Sequence, residues 1–339
     1  MKHLLYIGNK LAQKGNNPTG IDVLGPLLEK EGYQVSYASS QSNKILRFFV
    51  MLFKTLTTKK PDCVLIDTYS TTNFWYAFWI SRICKIRSIN YIPILHGGNL
   101  PQRWVTHPRY CKLLFHQAYC NVCPSEYLRQ AFQKMNCPKL VSIPNAIAMD
   151  SYSFKKRKAL RPKILWVRAF AELYNPLMAI AVLADLAKNY PEAELCMVGP
   201  DKEGSLEPVK NLAASLGLTV TFFSQLPKSA WVALSEDYDF FINTTHFDNM
   251  PVSVIEAMSL GLGVVSTNVG GMPFLIHDQE DGLLVQDNDA LAMSEALQLL
   301  LKNASLFGEM TEKARRKVTL FHWEVVKKSW NDILQNPYL

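Results

Sequence analysis

The sequence predicts an α/β fold made of two doubly wound halves, each a parallel sheet with crossover helices. Three observations carry that expectation. The chain has 339 residues, more than one core ordinarily serves. Short apolar runs alternate with segments of helical period from one end to the other. The charge also changes sign partway: residues 1–160 carry 22 Lys and Arg against 7 Asp and Glu, whereas residues 161–339 carry 14 against 22. A hydrophobic fraction of 48% with 19% charged residues fits a soluble globular protein.

In the first half, strands are expected at residues 4–7, 35–38, 63–66, 89–95, 118–123 and 140–143. The opening Met1-Lys2-His3-Leu4-Leu5-Tyr6-Ile7-Gly8 is too short for a secretory apolar region and reads as the first strand. It leads into Gly15-Asn16-Asn17-Pro18-Thr19-Gly20, a loop that would let backbone approach a ligand at Gly20 or serve as an ordinary turn. No complete GxGxxG fingerprint is present.

Two helical segments, Lys44-Ile45-Leu46-Arg47-Phe48-Phe49-Val50-Met51-Leu52-Phe53-Lys54 and residues 74–87, mix large apolar side chains with cations. Basic amphipathic helices either pack on a sheet with their cations in water or lie among lipid headgroups. The longest apolar cluster, residues 74–80, falls far short of the ~20 residues of a spanning helix. The basic half suits an anionic partner. A phospholipid surface or a phosphorylated acceptor ranks above nucleic acid, since no nucleic-acid motif accompanies the charge.

His96-Gly97-Gly98-Asn99 follows the strand Tyr91-Ile92-Pro93-Ile94-Leu95. The carboxyl end of such a strand is where open α/β sheets take ligands, which raises His96 above an ordinary loop histidine. Cys120 and Cys123 have zinc-like spacing, but in a strand positions three apart face opposite sides, and no second pair stands nearby. An odd count of seven cysteines argues for free, buried thiols and a reducing, cytoplasmic setting.

The second half repeats the alternation, with strands expected at residues 163–167, 193–198, 219–223, 238–242, 263–266 and 282–285. The basic stretch Phe154-Lys155-Lys156-Arg157-Lys158-Ala159-Leu160-Arg161-Pro162 reads as the linker, giving domains 1–157 and 158–321. The most telling segment is Asp248-Asn249-Met250-Pro251-Val252-Ser253-Val254-Ile255-Glu256-Ala257-Met258. It follows a buried strand, with Asn249 as the expected N-cap and Pro251 in the first helical turn. Unpaired N–H groups and the positive end of the helix dipole would then face the carboxyl edge of a sheet, a suitable place for a phosphate. Eight helical residues rise about 12 Å, roughly the reach from a sugar across a diphosphate to a ribose. Asp248 and Glu256 could hold those two ends; acids that merely complement the dipole are the competing reading.

The run from Asn243 to Val285 resembles the donor-binding segment of glycosyltransferase family 4, retaining enzymes with the GT-B fold. Glu256, Ala257-Met258, the turn at Gly261, the valine strand and Gly270-Gly271 match. The first acid differs, being Asp248 where the family has glutamate. Val122-Cys123-Pro124-Ser125 and Ile143-Pro144-Asn145 are similar to two further family signatures.

The resemblance implies two Rossmann-like domains facing a central cleft, with a final helix at about 322–339 packing back on the first. It implies metal-independent, retaining transfer of a sugar from a nucleoside-diphosphate-sugar to an acceptor hydroxyl, with no cofactor. A glycan or lipid-linked acceptor in cell-surface polysaccharide or glycolipid synthesis is the expected class. Apart from the resemblance, the basic charge and amphipathic segments of the first half would suit a peripheral contact with the anionic inner face of a membrane.

By the same resemblance, Glu256 would accept from ribose hydroxyls and Asp248 from sugar hydroxyls, while His96 would polarise the donor sugar. Arg168 and the backbone at Asn249, Met250, Pro251 and Val252 would hold the diphosphate, and Gly199 falls where the family binds the base. One part is missing. Family members place a lysine shortly after the arginine, but here the next cation after Arg168 is Lys188. Arg103 of the basic half is a candidate to replace it. A non-catalytic donor-binding subunit and a nucleotide-sugar epimerase of the same fold are the alternatives.

Overall fold

The computed structural model describes residues 1–12 and 18–335. The chain divides into two compact units, one formed by Met1–Ile147 with Trp323–Leu339 and the other by Ala148–His322. The division falls ten residues before the expected boundary at 157/158.

The first unit holds a six-stranded sheet of β1 (His3–Ile7), β2 (Gln34–Ala38), β3 (Cys63–Thr68), β4 (Asn90–Leu95), β5 (Asn121–Cys123) and β6 (Leu140–Ser142). They lie in the order β2-β1-β3-β4-β5-β6, every pair parallel. Successive strand residues point to opposite faces, and the two cores separate accordingly. Leu5, Ile7, Val64, Ile66, Tyr91 and Leu95 pack under helices Lys44–Thr57, Asn73–Ile86, Leu100–Thr106, Pro108–Phe115 and Glu126–Lys134. Leu4, Tyr6, Leu65, Ile92 and Ile94 pack under Gly20–Lys30 and the final helix Trp323–Gln335. That helix returns to the first sheet and is fixed there by Tyr33 Oη donating to Asn331 (2.9 Å) and Lys2 Nζ donating to the Leu334 carbonyl (2.7 Å).

The second unit repeats the plan with β7 (Lys163–Val167), β8 (Glu194–Val198), β9 (Val220–Phe223), β10 (Phe240–Asn243), β11 (Gly263–Thr267) and β12 (Leu283–Val285). The order is β12-β11-β10-β7-β8-β9, again all parallel. All twelve strands stand where the apolar runs placed them.

The basic stretch expected to link the domains is instead part of the second unit. Arg157 is buried, with Nε 3.2 Å from Asp239 Oδ1, and donates to the carbonyls of Tyr238, Ser235, Leu260 and Gly261. A guanidinium can be buried when each donor finds an acceptor, so this cation anchors a loop where composition suggested a solvated tether.

Candidate functional site

In each sheet the strand order reverses at one place: between β1 and β3 in the first, and between β7 and β10 in the second. Connections leave the sheet in opposite directions there, and a crevice opens at the carboxyl ends of the strands. Polar clusters occupy both crevices.

In the second unit, Arg168 follows β7 and Asn243 ends β10. Asn243 is fully buried; its Nδ2 donates to Ser266 Oγ (2.9 Å), which turns its Oδ1 toward Arg168. Arg168 donates to that oxygen from Nε (3.2 Å) and Nη2 (3.1 Å), and Nη2 also meets Asp248 Oδ2 at 2.8 Å. The Tyr174 ring lies 5.1 Å beneath the guanidinium. The Arg168 and Asp248 side chains are only 12% and 18% exposed, so solvent screens this pair far less than a surface bridge. Two of the expected residues are thus brought together, and each uses the other.

Gly270 and Gly271 set the position of Asp248. Gly271 N–H donates to the Asp248 carbonyl (2.8 Å), and a Cβ on either glycine would collide with backbone oxygen of Asp248 or Asn249. Gly270 also has φ +54°, a left-handed value that favours glycine. The helix itself runs Val252–Leu260, with Pro251 as its N-cap and no side-chain cap. Asn249 is therefore not the N-cap, and Pro251 precedes the first turn. The Gly-Gly loop packs against the backbone of residues 248–249, and Pro251, at ψ 121°, offers its carbonyl to the N–H groups of Val254 and Ile255. Met250 is half-buried and Val252 exposed. Ser253, in the first turn, has a buried hydroxyl without a hydrogen-bond partner among the described residues. Open N–H groups and an unsatisfied hydroxyl at the positive end of a helix form an anion site.

Glu256 lies one turn further on and is 4% exposed. Its Oε1 accepts from Tyr152 Oη at 2.6 Å and lies 2.5 Å from Lys228 Nζ. Burial, reinforced by the Glu256 charge, raises the Tyr152 pKa, so the phenol remains a donor at neutral pH. Lys228 opens the helix Lys228–Leu234 after the loop that follows β9, and its side chain is more than half exposed. Gly199 lies against the end of β7, where a Cβ would collide with the Arg168 carbonyl. Where the clamp lysine is missing, the chain forms a 3-10 turn at Glu172–Tyr174, and Asn175 then caps the helix Pro176–Leu186.

In the first unit, Asp67 near the end of β3 has a side chain with no exposed area. Its Oδ1 accepts from Tyr6 Oη (3.0 Å) and lies 2.9 Å from His96 Nε2, while Oδ2 accepts from the Ile21 N–H (3.2 Å). An ionised carboxylate only accepts, so the imidazole donates through Nε2 and keeps Nδ1 for another partner. Tyr69 stacks on the ring, with centroids 5.4 Å apart. A Cβ on Gly20 would come within 2.7 Å of His96 Nε2, so glycine there lets the helix start reach the imidazole. Gly20 and His96 thus meet, whereas residues 13–17 of the preceding loop lie outside the described residues. Arg103 is tied to its own unit, donating to the Ser70 carbonyl from Nε (3.0 Å) and Nη2 (2.6 Å).

Asp67, Asn243, Tyr152, Lys228 and Ser253 were missed in the sequence. Asp67 and Asn243 left a signal, each a polar residue at the end of an apolar run. Tyr152 and Lys228 left none, since Tyr152 stands 104 positions from the acid it serves. All seven cysteines are free and buried, and burial raises Cys120 and Cys123 to about 12, so both stay protonated. Among the described residues no group of three or more His, Cys, Asp and Glu is placed to hold a metal ion.

Residues 150–317 match the family model of the glycosyl transferases, group 1. An uncharacterised glycosyltransferase of Haemophilus influenzae is 32% identical over 153 residues, 44% of this chain and 42% of that protein. A phosphatidyl-myo-inositol mannosyltransferase of Mycobacterium leprae is 26% identical over 192 residues, 55% of this chain and 50% of the relative. These matches span half or less of the relatives' lengths. The crystal structure of Anabaena HepE in complex with UDP-glucose has a TM-score of 0.77 at 15% identity, covering 99% of this chain and 100% of that one. That likeness is one of fold, the GT-B fold.

Proposed function

We propose, from the match of residues 150–317 to the group 1 glycosyl transferases, that the chain moves a sugar from a nucleoside-diphosphate-sugar to an acceptor hydroxyl. The observation that supports this most is the Arg168–Asn243–Asp248 cluster beside the open first turn of Val252–Leu260. Breaking an anomeric bond puts negative charge on the departing diphosphate, and fixed donors in a shielded crevice stabilise it at no reorganisation cost. Arg168, the N–H groups at Val252 and Ser253, and Ser253 Oγ are the donors. Asp248 holds the guanidinium in place and still has lone pairs for the hydroxyls of the sugar. Glu256 takes the ribose through oxygen not committed to Tyr152 and Lys228. In the first unit, His96, fixed by Asp67, keeps Nδ1 for a substrate hydroxyl.

On this reading the reaction needs no metal ion and retains the anomeric configuration. A glycan or a lipid-linked hydroxyl compound is the acceptor, in keeping with the phosphatidyl-myo-inositol, a lipid-linked cyclitol, named for one relative. The test is a panel of nucleoside-diphosphate-sugars with glycan and lipid-linked acceptors, monitored for transfer and for the anomer formed. Transfer should survive chelation by EDTA, and Arg168→Ala should slow it about a hundredfold or more. An inverted product, or activity abolished by EDTA and restored by a divalent cation, would refute those parts. The absent lysine and the internal Arg168–Asp248 pairing favour one second reading, a donor-binding subunit without turnover. Tight donor binding with no transfer to any acceptor would select it.

A further inference from the structure

We propose that the outer face of the helical layer Lys44–Thr57, Asn73–Ile86 and Pro108–Phe115 docks on a membrane surface rich in anionic phospholipid headgroups. These helices lie side by side over one face of the first sheet, joined by the Phe48–Tyr76 stack and by the edge contacts of Tyr110 with Trp75 and Phe78. The inward side of Lys44–Thr57 is formed by Arg47, Met51 and Thr55. Its outward side carries Ile45, Phe49, Phe53 and Leu56, which are 70%, 59%, 64% and 55% exposed. Their spacing of four, four and three makes a single stripe about three turns long. Trp79 and Ile86, seven positions apart on the next helix, are 51% and 84% exposed, and Tyr110 and Leu113 are exposed on the third.

Isolated apolar residues on a surface need no explanation, whereas these eight exposed large side chains on three adjoining helices mark a place that something covers. The charge identifies the partner. No Asp or Glu occurs between Glu31 and Asp62, or between Asp67 and Glu126, so all three helices are free of acids. Lys44, Lys54, Lys85, Arg109 and Lys112 are exposed along them. Another water-soluble protein, or a second copy of this chain, would ordinarily offer both signs of charge to such a surface. An anionic bilayer offers one sign with hydrocarbon beneath it, and aromatic and aliphatic side chains bordered by lysines match that profile. Among the described residues no helix is long and apolar enough to cross a membrane, so the contact is one of a face lying on the surface.

The inference does not depend on sugar transfer and is tested without donor or acceptor. The whole chain is sedimented with vesicles of phosphatidylcholine alone and of phosphatidylcholine containing one part in three phosphatidylglycerol. Binding is expected to the anionic vesicles, weakening as salt rises. Two multiple variants separate the contributions: Phe49→Gln with Phe53→Gln, and Lys44→Glu with Lys54→Glu and Lys85→Glu. Every substituted side chain is exposed, so an unchanged circular dichroism spectrum and melting temperature are expected and serve as the folding control. Each variant should bind the anionic vesicles at least about tenfold more weakly. No binding by the parent protein, or equal binding by parent and both variants, would overturn the proposal. So would a self-association that Phe49→Gln with Phe53→Gln dissolves, because the face would then belong to a second copy.

Discussion

Ser253 carries a buried hydroxyl at a helix start with no partner among the described residues, so its removal should act in opposite directions on stability and on binding. A buried hydroxyl left unpaired costs roughly 1–3 kcal/mol, and Ser253→Ala lifts that cost from the free protein. The same change deprives a bound phosphate of one donor. The expected result is a melting temperature equal to or above that of the parent, together with a nucleoside-diphosphate Kd raised about five- to thirtyfold; calorimetry and titration read both. A lowered melting temperature with unchanged Kd would place the hydroxyl in the fold alone. Glu256 differs because it is already paired, with Tyr152 and Lys228 on one oxygen. Removing that carboxylate strands the buried phenol of Tyr152 as well as any ribose, so stability and binding would fall together. Of these side chains the sequence singled out Glu256, by its resemblance to the second family acid and not by its spacing from Asp248 alone. It could not disclose Tyr152, which reaches Glu256 only because the chain folds back between positions 152 and 256.

At the scale of elements, helix Trp323–Gln335 shows what periodicity can and cannot supply. Trp323, Val326, Trp330, Ile333 and Leu334 are its buried residues, and their spacing alone marks an apolar face. Which sheet receives that face is invisible to periodicity; resemblance supplied it, and the core beneath Leu4, Tyr6 and Ile92 is where it lies. Trp330 is 3% exposed there, so Trp330→Ala should destabilise the first unit by about 3–5 kcal/mol, measured by urea unfolding. A loss below about 1 kcal/mol would mean that the helix contributes little to that core. The helix at Val252 teaches the complementary lesson. Its existence was legible, but its first residue was not, because the Gly270–Gly271 loop that fixes Asn249 outside the helix lies far downstream in the chain. The basic stretch at 154–162 misled for a related reason: lysines and arginines in a row describe a solvated tether until Asp239 and five carbonyls claim Arg157.

For the whole molecule, the alternation of apolar runs disclosed both sheets because central strands such as Cys63–Thr68 and Gly263–Thr267 are buried throughout, and such runs are short and bounded by turn residues. The same burial has a consequence for pH. The seven cysteines are distributed over both units, all of them buried. Burial disfavours the thiolate and raises Cys84, Cys111, Cys120 and Cys123 from 9.0 to about 12, with Cys196 raised to about 11. A thiol whose pKa is higher in the folded chain than in the unfolded one contributes its full stability below the unfolded value. It loses that contribution as pH rises toward the folded value, because only the unfolded chain can release the proton in between. The window therefore opens near pH 9 and closes near pH 12, and several thiols act in the same direction. The melting temperature should be level in this respect from pH 7 to 8 and fall progressively above pH 9. In parallel, a thiol reagent at pH 8 should find no fast-reacting cysteine in the native protein and all seven after denaturation. A melting temperature that stays level to pH 11, or a cysteine labelled at once in the native state, would show that water reaches a core the structure closes.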